Sequence, residues 1–314
     1  MKISVVMCTY NGERFLWEQL TSVANQTRVP DEIIVFDDNS SDSTLAIVSA
    51  ACAKYSLNCQ IHKNPTTQGF EKNFSLAMDE SKGDVIFFCD QDDVWLPYKV
   101  EKMTLPFLKN KMVSLVYSDA YIAGPDLTKS GHTLFGVRKT KDHCYDLDSI
   151  CARLRKGLEM RMRGCAMAFS SRFKEIAGQV PEGISHDKWI GLFACAFGEA
   201  ITIEEPLFYY RRHDFTISSS TNKLIPGLIR RNKKTKTYRF EKRALFVQQV
   251  KSRLKYLENE GGDFVMDKER IGVLKSAAEE GERILVRRAR INDKFMKLTR
   301  IVKVLSHYAT SLYR

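Results

Sequence analysis

Apolar residues along this chain fall into two kinds of stretch. Short unbroken runs, rich in β-branched and aromatic types, read as buried strands. Longer stretches repeat an apolar position every three or four residues and read as amphipathic helices. Ile3 to Tyr10 (ISVVMCTY) is the first strand, and Asn11 and Gly12 make the turn after it. Glu13 to Asn25 carries Phe15, Leu16, Leu20 and Val23 at helical spacing. Ile33 to Phe36 is the second strand, Cys59 to His62 the third and Val85 to Cys89 the fourth. Asp42 stands at the N-cap of the helix that reaches Tyr55, and Gly69 precedes a helix over Phe70 to Glu80. Such alternation predicts an α/β fold with right-handed crossovers and a mostly parallel sheet covered by helices on both faces.

Beyond Trp95 the pattern continues with a helix over Leu96 to Leu108, with Pro97 near its start, and a strand over Val113 to Ala120. Residues 121–162 are polar, hold Gly124, Pro125, Gly131 and Gly136, and read as a loop region on the acceptor side. Cys165 to Ser170 is a further strand. Ser185 caps a strong amphipathic helix, HDKWIGLFACAF, and Ile201 to Tyr210 is the last strand.

The strand ends carry the chemistry. The fourth strand ends in Asp90, Asp92 and Asp93, and the second in Asp37 and Asp38. Three acids this close repel one another and stay ionised together only if a cation or hydrogen-bond donors balance them. Oxygen ligands suit a hard divalent ion, Mg²⁺ or Mn²⁺, which also takes phosphate oxygens. Ligands of open α/β sheets gather at the carboxyl ends of strands, and here Thr9–Asn11, Asp37–Asp38 and Asp90–Asp93 share one rim. The plainer reading is an acidic loop capping the next helix. No GxGxxG follows the first strand and no phosphate-loop lysine motif occurs, which argues against a dinucleotide or P-loop protein.

Charge divides the chain. Residues 223–314 hold 24 Lys and Arg against 10 Asp and Glu, a net +14; residues 1–222 hold 25 against 28, a net −3. The basic excess thus lies in the last third, which points to an anionic surface as its partner. Two or three helices are expected there, near Tyr238–Glu258, Asp267–Arg290 and Ile291–Tyr308. The last has an apolar stripe with Lys294, Lys297, Arg300 and Lys303 among it, suited to an anionic bilayer or to packing on the body or a second subunit in a homodimer. Aromatics are not interleaved with the basic clusters as a stacking groove for nucleic acid requires, so no nucleic-acid partner is expected. No run of 18 uncharged apolar residues occurs, so no transmembrane helix is expected, and the N-terminus makes a poor signal peptide. The reading is a cytoplasmic protein, or one peripheral on the inner face of the membrane. The eight cysteines show no CxxC pair and read mostly as buried, reduced, structural thiols.

Taken together, SVVMCTYNG, IIVFDDNSSDST, the helix before DVIFFCDQDD, HDKW and YYRRH, in that order, resemble the family 2 glycosyltransferases with their GT-A fold. The resemblance covers about residues 1–220 and implies a GT-A catalytic domain over 1–222. Its nucleotide-binding half is 1–120 and its acceptor-side half 121–222, followed by a basic helical region over 223–314. DQDDVW is similar to bacterial rhamnosyltransferase-like members that use dTDP-L-rhamnose to build surface polysaccharide such as O-antigen.

By that resemblance Thr9, Tyr10 and Asn11 meet the nucleotide, and Asp38, with Asp37 beside it, holds the base. Asp90 approaches the ribose or sugar, and Asp92 holds the metal on the diphosphate. Asp187 is the general base. Arg211, Arg212 and His213 close over the diphosphate, with His213 also in reach of the metal. The Asp after His213 departs from the Gly of many relatives. The implied reaction is an inverting transfer from a dTDP- or UDP-sugar to a glycan or lipid-linked acceptor. A nucleotidyltransferase or nucleotide-sugar pyrophosphatase shares the strand-end acids but leaves HDKW without a role.

Other residues stay open at this level. Asp187 also suits a plain first-turn acid, where the helix dipole favours the anion. His186 either orients Asp187, contacts the acceptor or is an exposed first-turn residue. Trp95 and Trp189 either line the acceptor cleft or pack in the core. Glu13 is either a helix-start acid or a nucleotide contact.

Overall fold

The computed structural model describes residues 1–137, 146–157, 162–214, 236–260 and 267–292. The chain divides into two units. The first is Met1–Asp146 with Met162–Asn232, and the second is Leu147–Arg161 with Lys233–Arg314. The expected boundary after residue 222 therefore moves, and a short segment from the middle of the chain joins the C-terminal helices.

In the first unit the elements alternate as the pattern predicts. They are β1 (Ile3–Thr9), α1 (Glu13–Ala24), β2 (Glu32–Asp37), α2 (Thr44–Tyr55), β3 (Cys59–Lys63), α3 (Phe70–Glu80) and β4 (Val85–Asp90). There follow β5 (Val94–Trp95), α4 (Lys99–Lys109), β6 (Val113–Ala123) and β7 (Lys129–Thr133). After α5 (Leu147–Arg155), which belongs to the second unit, come β8 (Met167–Ser170), α6 (Arg172–Ala177), α7 (His186–Phe197) and β9 (Glu199–Arg211).

One nine-stranded sheet results, in the order β3-β2-β1-β4-β8-β6-β9-β5, with β7 on β6. Strands β1 to β4, β6 and β9 share one direction, and β5, β7 and β8 run opposite to it. The sheet is therefore mostly parallel. Strands β1, β2 and β4 are buried on both faces apart from half-buried Asp90, as continuous apolar runs in a helix-covered sheet should be. Two strands escape the apolar pattern for a physical reason. β5 is only two residues long, and β7 (KSGHT) exposes or half-exposes every residue.

Loops at the strand ends are tied to each other. Gln91 accepts from the Tyr10 amide (2.9 Å) and donates to the Tyr10 carbonyl (3.0 Å). A Cβ at Gly12 would come within 2.3 Å of the Gln91 Oε1, so a larger residue there would push the Gln91 amide off Tyr10. Asp42 does not sit at the N-cap itself; Ser43 does, and Asp42 Oδ1 accepts from the Thr44 amide (3.0 Å).

The cysteine expectation needs one correction. Cys8, Cys89, Cys151, Cys165 and Cys195 are free and buried, but Cys52 and Cys59 form a disulfide. The chain turns back at Ser56, whose φ is 52°, and that brings the two Cα atoms to 6.2 Å. Cys144 lies outside the described residues.

The second unit packs α5, α8 (Lys236–Glu260) and α9 (Lys268–Asn292). Its core is Ile150, Cys151 and Leu154 against Phe246, Val247, Val250, Leu254 and Leu257 and against Ile271, Leu274 and Leu285. Gly281 lets α9 approach α5, since a Cβ there would meet the Leu154 carbonyl oxygen at 1.9 Å. Residues 223–235 and 293–314 hold 10 of the basic residues against one acid, so much of the charge excess, and the expected last helix, lie outside the described residues. Among the described residues no helix is long and apolar enough to cross a membrane.

Candidate active site

At the end of β2 both acids are fully supplied with donors. Asp37 is wholly buried and accepts from Thr9 Oγ1 (2.8 Å), the Ser40 amide (2.8 Å) and Ser40 Oγ (2.6 Å). Asp38 accepts from Asn64 Nδ2 (3.0 Å) and from the Gln68 (2.6 Å) and Gly69 (2.8 Å) amides. Asp37 and Thr9 therefore brace the strand ends rather than face a ligand, which corrects their expected contact with a nucleotide. Asn11 is likewise engaged: its amide donates to Ser40 Oγ (2.9 Å) and its side chain accepts from the Ser41 amide (2.9 Å). Glu13 accepts from the Ser43 amide (3.0 Å), the helix-start role rather than a nucleotide contact. Tyr10 stands about half exposed at this rim, free to stack on a planar ligand.

At the end of β4 the supply is short. Strand β5 pairs antiparallel with β9 (Val94 opposite Tyr209), which brings the end of β9 to the acid loop. His213 Nε2 then lies 2.8 Å from Asp92 Oδ2. Asp93 is wholly buried and accepts the Arg211 amide at Oδ1 (3.0 Å), while its buried Oδ2 has no partner among the described residues. Burial, then the charge of Asp92, push the Asp90 carboxyl up to about 7. Asp93 is raised as well, first by burial and then by Asp92 and Asp90.

One buried cation answers this cluster from below, and sequence reasoning missed it. Lys99 is wholly buried, donates to the Cys165 carbonyl (2.6 Å) and sits over the rings of Trp95 (4.2 Å) and Phe208 (3.9 Å). Burial brings its ammonium down to about 8. Its spacing of four from Met103, which is also buried, is the only hint the sequence offered.

Helix α7 delivers Asp187 to the same cluster, near enough for its charge to raise Asp90. Ser185 stands at the N-cap as expected, but its hydroxyl makes no capping bond. Its hydroxyl donates instead to Asp187 Oδ1 (2.5 Å), which also accepts the Lys188 amide (2.7 Å). His186 is not exposed: it stacks on Phe74 (4.0 Å) and meets the edge of Phe88 (4.6 Å), and both ring nitrogens are buried without partners. Burial lowers it to about 4.

Several expectations fail here on burial. Trp95 is 2% exposed and packs on Phe87, and Trp189 is 1% exposed and donates to the Ala177 carbonyl (3.0 Å). Both are core residues, not acceptor-cleft walls. Arg211 is bonded inside the fold. Its Nε donates to the Asp92 carbonyl (2.7 Å), and its terminal nitrogens go to the Pro125 carbonyl and to Glu18. Arg212 is wholly buried and donates to the Tyr210 hydroxyl (2.9 Å), which Arg163 also reaches (2.7 Å). Of the RRH segment, His213 reaches the cluster with its ring, at Asp92, and Arg211 with its backbone amide, at Asp93.

The residues present fit a divalent ion. Asp90, Asp93 and Cys165 place ligand atoms within 4.8 Å of one another. The thiol, however, is held well above its ordinary range by burial, and a soft sulfur suits Mg²⁺ or Mn²⁺ poorly. Asp92 and His213, 2.8 Å apart at the rim, offer such an ion a carboxylate and an imidazole instead.

An α/β sheet gathers its ligands at the carboxyl ends of its strands, which is where this acid cluster lies. Residues 4–172, just over half of the chain, match Glycosyl transferase family 2, and the chain belongs to that family. It is 27% identical over 219 residues to the uncharacterized glycosyltransferase alr2836 of Nostoc sp., covering 68% of this chain and 65% of that protein. It is 36% identical over 96 residues to the poly(ribitol-phosphate) beta-N-acetylglucosaminyltransferase TarS of Staphylococcus aureus, covering 30% of this chain and 16% of TarS. The chain thus spans just under two thirds of the Nostoc protein and a small part of TarS. Among solved structures, S. aureus TarS 1-349 in complex with UDP-GlcNAc shares the fold at TM-score 0.53 and 17% identity, covering 93% of this chain and 92% of that one. The mannosyltransferase PcManGT of Pyrobaculum calidifontis with GDP-Man and Mn2+ does so at TM-score 0.50 and 14% identity, covering 100% and 81%.

Proposed function

We propose that the chain is an inverting glycosyltransferase that moves a sugar from a nucleoside-diphosphate donor to a hydroxyl of a glycan or lipid-linked acceptor. L-Rhamnose from dTDP-L-rhamnose, for bacterial surface polysaccharide, is the donor that DQDDVW favours. The observation that carries the reading is the Asp92–His213 contact (2.8 Å) at the strand-end rim, with α7, which carries Asp187, packed against β4 through His186 on Phe88 (4.6 Å). Asp187 takes the proton from the acceptor hydroxyl as general base. The bonds from Ser185 and Lys188 both fall on Oδ1, so Oδ2 is the oxygen that receives it. A base opposite the leaving group gives one displacement and inversion at C1. Asp92 and His213, with Asp90, would hold Mg²⁺ or Mn²⁺, which when bound supplies Lewis-acid stabilisation of the leaving diphosphate. Tyr10 flanks the nucleotide, and Asp38 holds the Gln68–Gly69 stretch in place. A UDP-sugar donor is the second reading, and the sequence match to TarS favours it.

A thermal-shift and donor-hydrolysis screen over dTDP-, UDP- and GDP-sugars, with and without Mn²⁺, tests both. Metal-dependent stabilisation by dTDP-rhamnose supports the first reading and a UDP preference the second. Silence towards every nucleotide would remove the enzyme reading. The basic C-terminal stretch would hold the protein to an anionic membrane, each Lys or Arg adding about 1 kcal/mol. Equal sedimentation with neutral and anionic vesicles would discard that part.

A further inference from the structure

The residue that attracts attention is Glu18, on the first helix and outside every motif. Glu18 and Phe15 are three residues apart on α1 and so share a face. Phe15 packs its ring 4.7 Å from that of His213. It also lies under the Arg211 guanidinium at 4.6 Å. Glu18 grips a terminal nitrogen of Arg211. One face of α1 therefore backs both Arg211 and His213.

Arg211 is 2% exposed and makes bonds in four directions. Its backbone amide goes to Asp93, its Nε to the Asp92 carbonyl, and its two terminal nitrogens to Pro125 and Glu18. Only a planar fork with several donors can join these groups; a lysine could not. Glu18 itself is about half exposed, in an open pocket of about 330 Å³ lined by Arg14, Phe15, Glu18, Pro125, Asp126 and Arg211. Its carboxylate is therefore not needed to fill the core. Without Glu18, the buried guanidinium would lose the acid that fixes its outer end, and its bond to the Asp92 carbonyl would slacken.

We propose that Glu18 is a positioning residue for the metal site. It holds the Arg211 guanidinium on the Asp92 carbonyl, so that the loop carrying Asp92 and the chain leading to His213 keep the geometry the ion needs. This rests on the reading of Asp92 and His213 as metal ligands. Partners behind metal ligands of this kind change metal affinity by about 10–100-fold when removed.

The test uses the full chain, a Mn²⁺ titration and whichever nucleoside diphosphate stabilises the parent, read as thermal shift. Glu18→Gln should melt within about 2 °C of the parent without metal, as a surface change does. Its half-saturating Mn²⁺ concentration should rise about 10-fold, with Glu18→Asp recovering part of the loss. Glu205→Gln, which breaks the exposed Lys102–Glu205 pair, is the control and should leave the titration unchanged. A Glu18→Gln titration within about twofold of the parent would overturn the proposal. So would a large loss of melting temperature without metal, since that marks a structural role. A parent that answers no nucleoside diphosphate with Mn²⁺ would instead defeat the underlying function, and the positioning role with it.

Discussion

Two strand ends of this sheet carry the same residues and treat them in opposite ways. At the end of β2, Asp37 and Asp38 receive three hydrogen bonds each, from hydroxyls, an amide side chain and backbone amides. At the end of β4, Asp93 receives one backbone amide and keeps a buried oxygen with no partner among the described residues, and Asp90 is pushed up to about 7. The first pair has its charge matched inside the fold and holds loops in place. The second group has negative charge in excess of its donors, which is the condition for attracting a cation and an anionic ligand bridged by it. An acid at a strand end is therefore not a site by virtue of being there. The supply of donors around it separates a brace from a binding group.

The largest effect that sharpens this contrast lies on the undersupplied side. Asp187→Asn should reduce sugar transfer by about 10²–10⁴-fold. Nucleotide binding and melting temperature should stay near the parent's, because Asn still accepts from Ser185 and Lys188. Single-turnover transfer assays with a radiolabelled donor would measure it. A loss under about tenfold would place the base elsewhere.

A second comparison sets stability against binding. Asp37→Asn puts an amide among donors from Thr9 and Ser40 and should cost about 3 kcal/mol, read from urea unfolding. Asp92→Asn relieves repulsion with Asp90 and Asp93, and should change stability by less than about 1 kcal/mol while abolishing the Mn²⁺-dependent shift with nucleotide. If the two variants lost stability equally, the two rims would not differ in kind.

How much of this was legible follows from the same physics. Unbroken apolar runs revealed β1, β2, β4 and β6 and the helices between them, because burial on both faces leaves a composition that needs no partner to be read. The acids were legible as acids, but FDDNSSDST and CDQDD do not announce opposite fates. The hydroxyl-rich sequence after Asp37 was the available clue, since Ser40 is a donor at hand and nothing equivalent follows Asp93. What stayed hidden depends on distant pairing. The β5–β9 contact joins Asp92 to His213 across 121 residues, and no local pattern encodes it. Lys99, Glu18 and the inward turn of Arg211 were invisible for the same reason, as was the burial of Trp95 and Trp189.

The smallest predicted effect extends the contrast from carboxylates to an imidazole. His186 sits on the undersupplied side, between Phe74 and Phe88, with Asp187 the charged group that acts on it. Burial lowers it from 6.5 to about 4, with Asp187 opposing. A depressed folded-state value means that the unfolded chain takes up the proton first. The stability is therefore present in full above pH 6.5 and is lost as pH falls toward 4, at about 1 kcal/mol per pH unit. His186→Phe fits the same aromatic slot and removes two buried nitrogens that have no partners. It should equal or exceed the parent in urea stability at pH 7, and its advantage should widen steadily between pH 6 and pH 4.5. Parallel curves for the two proteins over that range would show that the imidazole is hydrated or bonded in the folded state. The shortage of partners at this rim would then be confined to the acids of β4 and its loop.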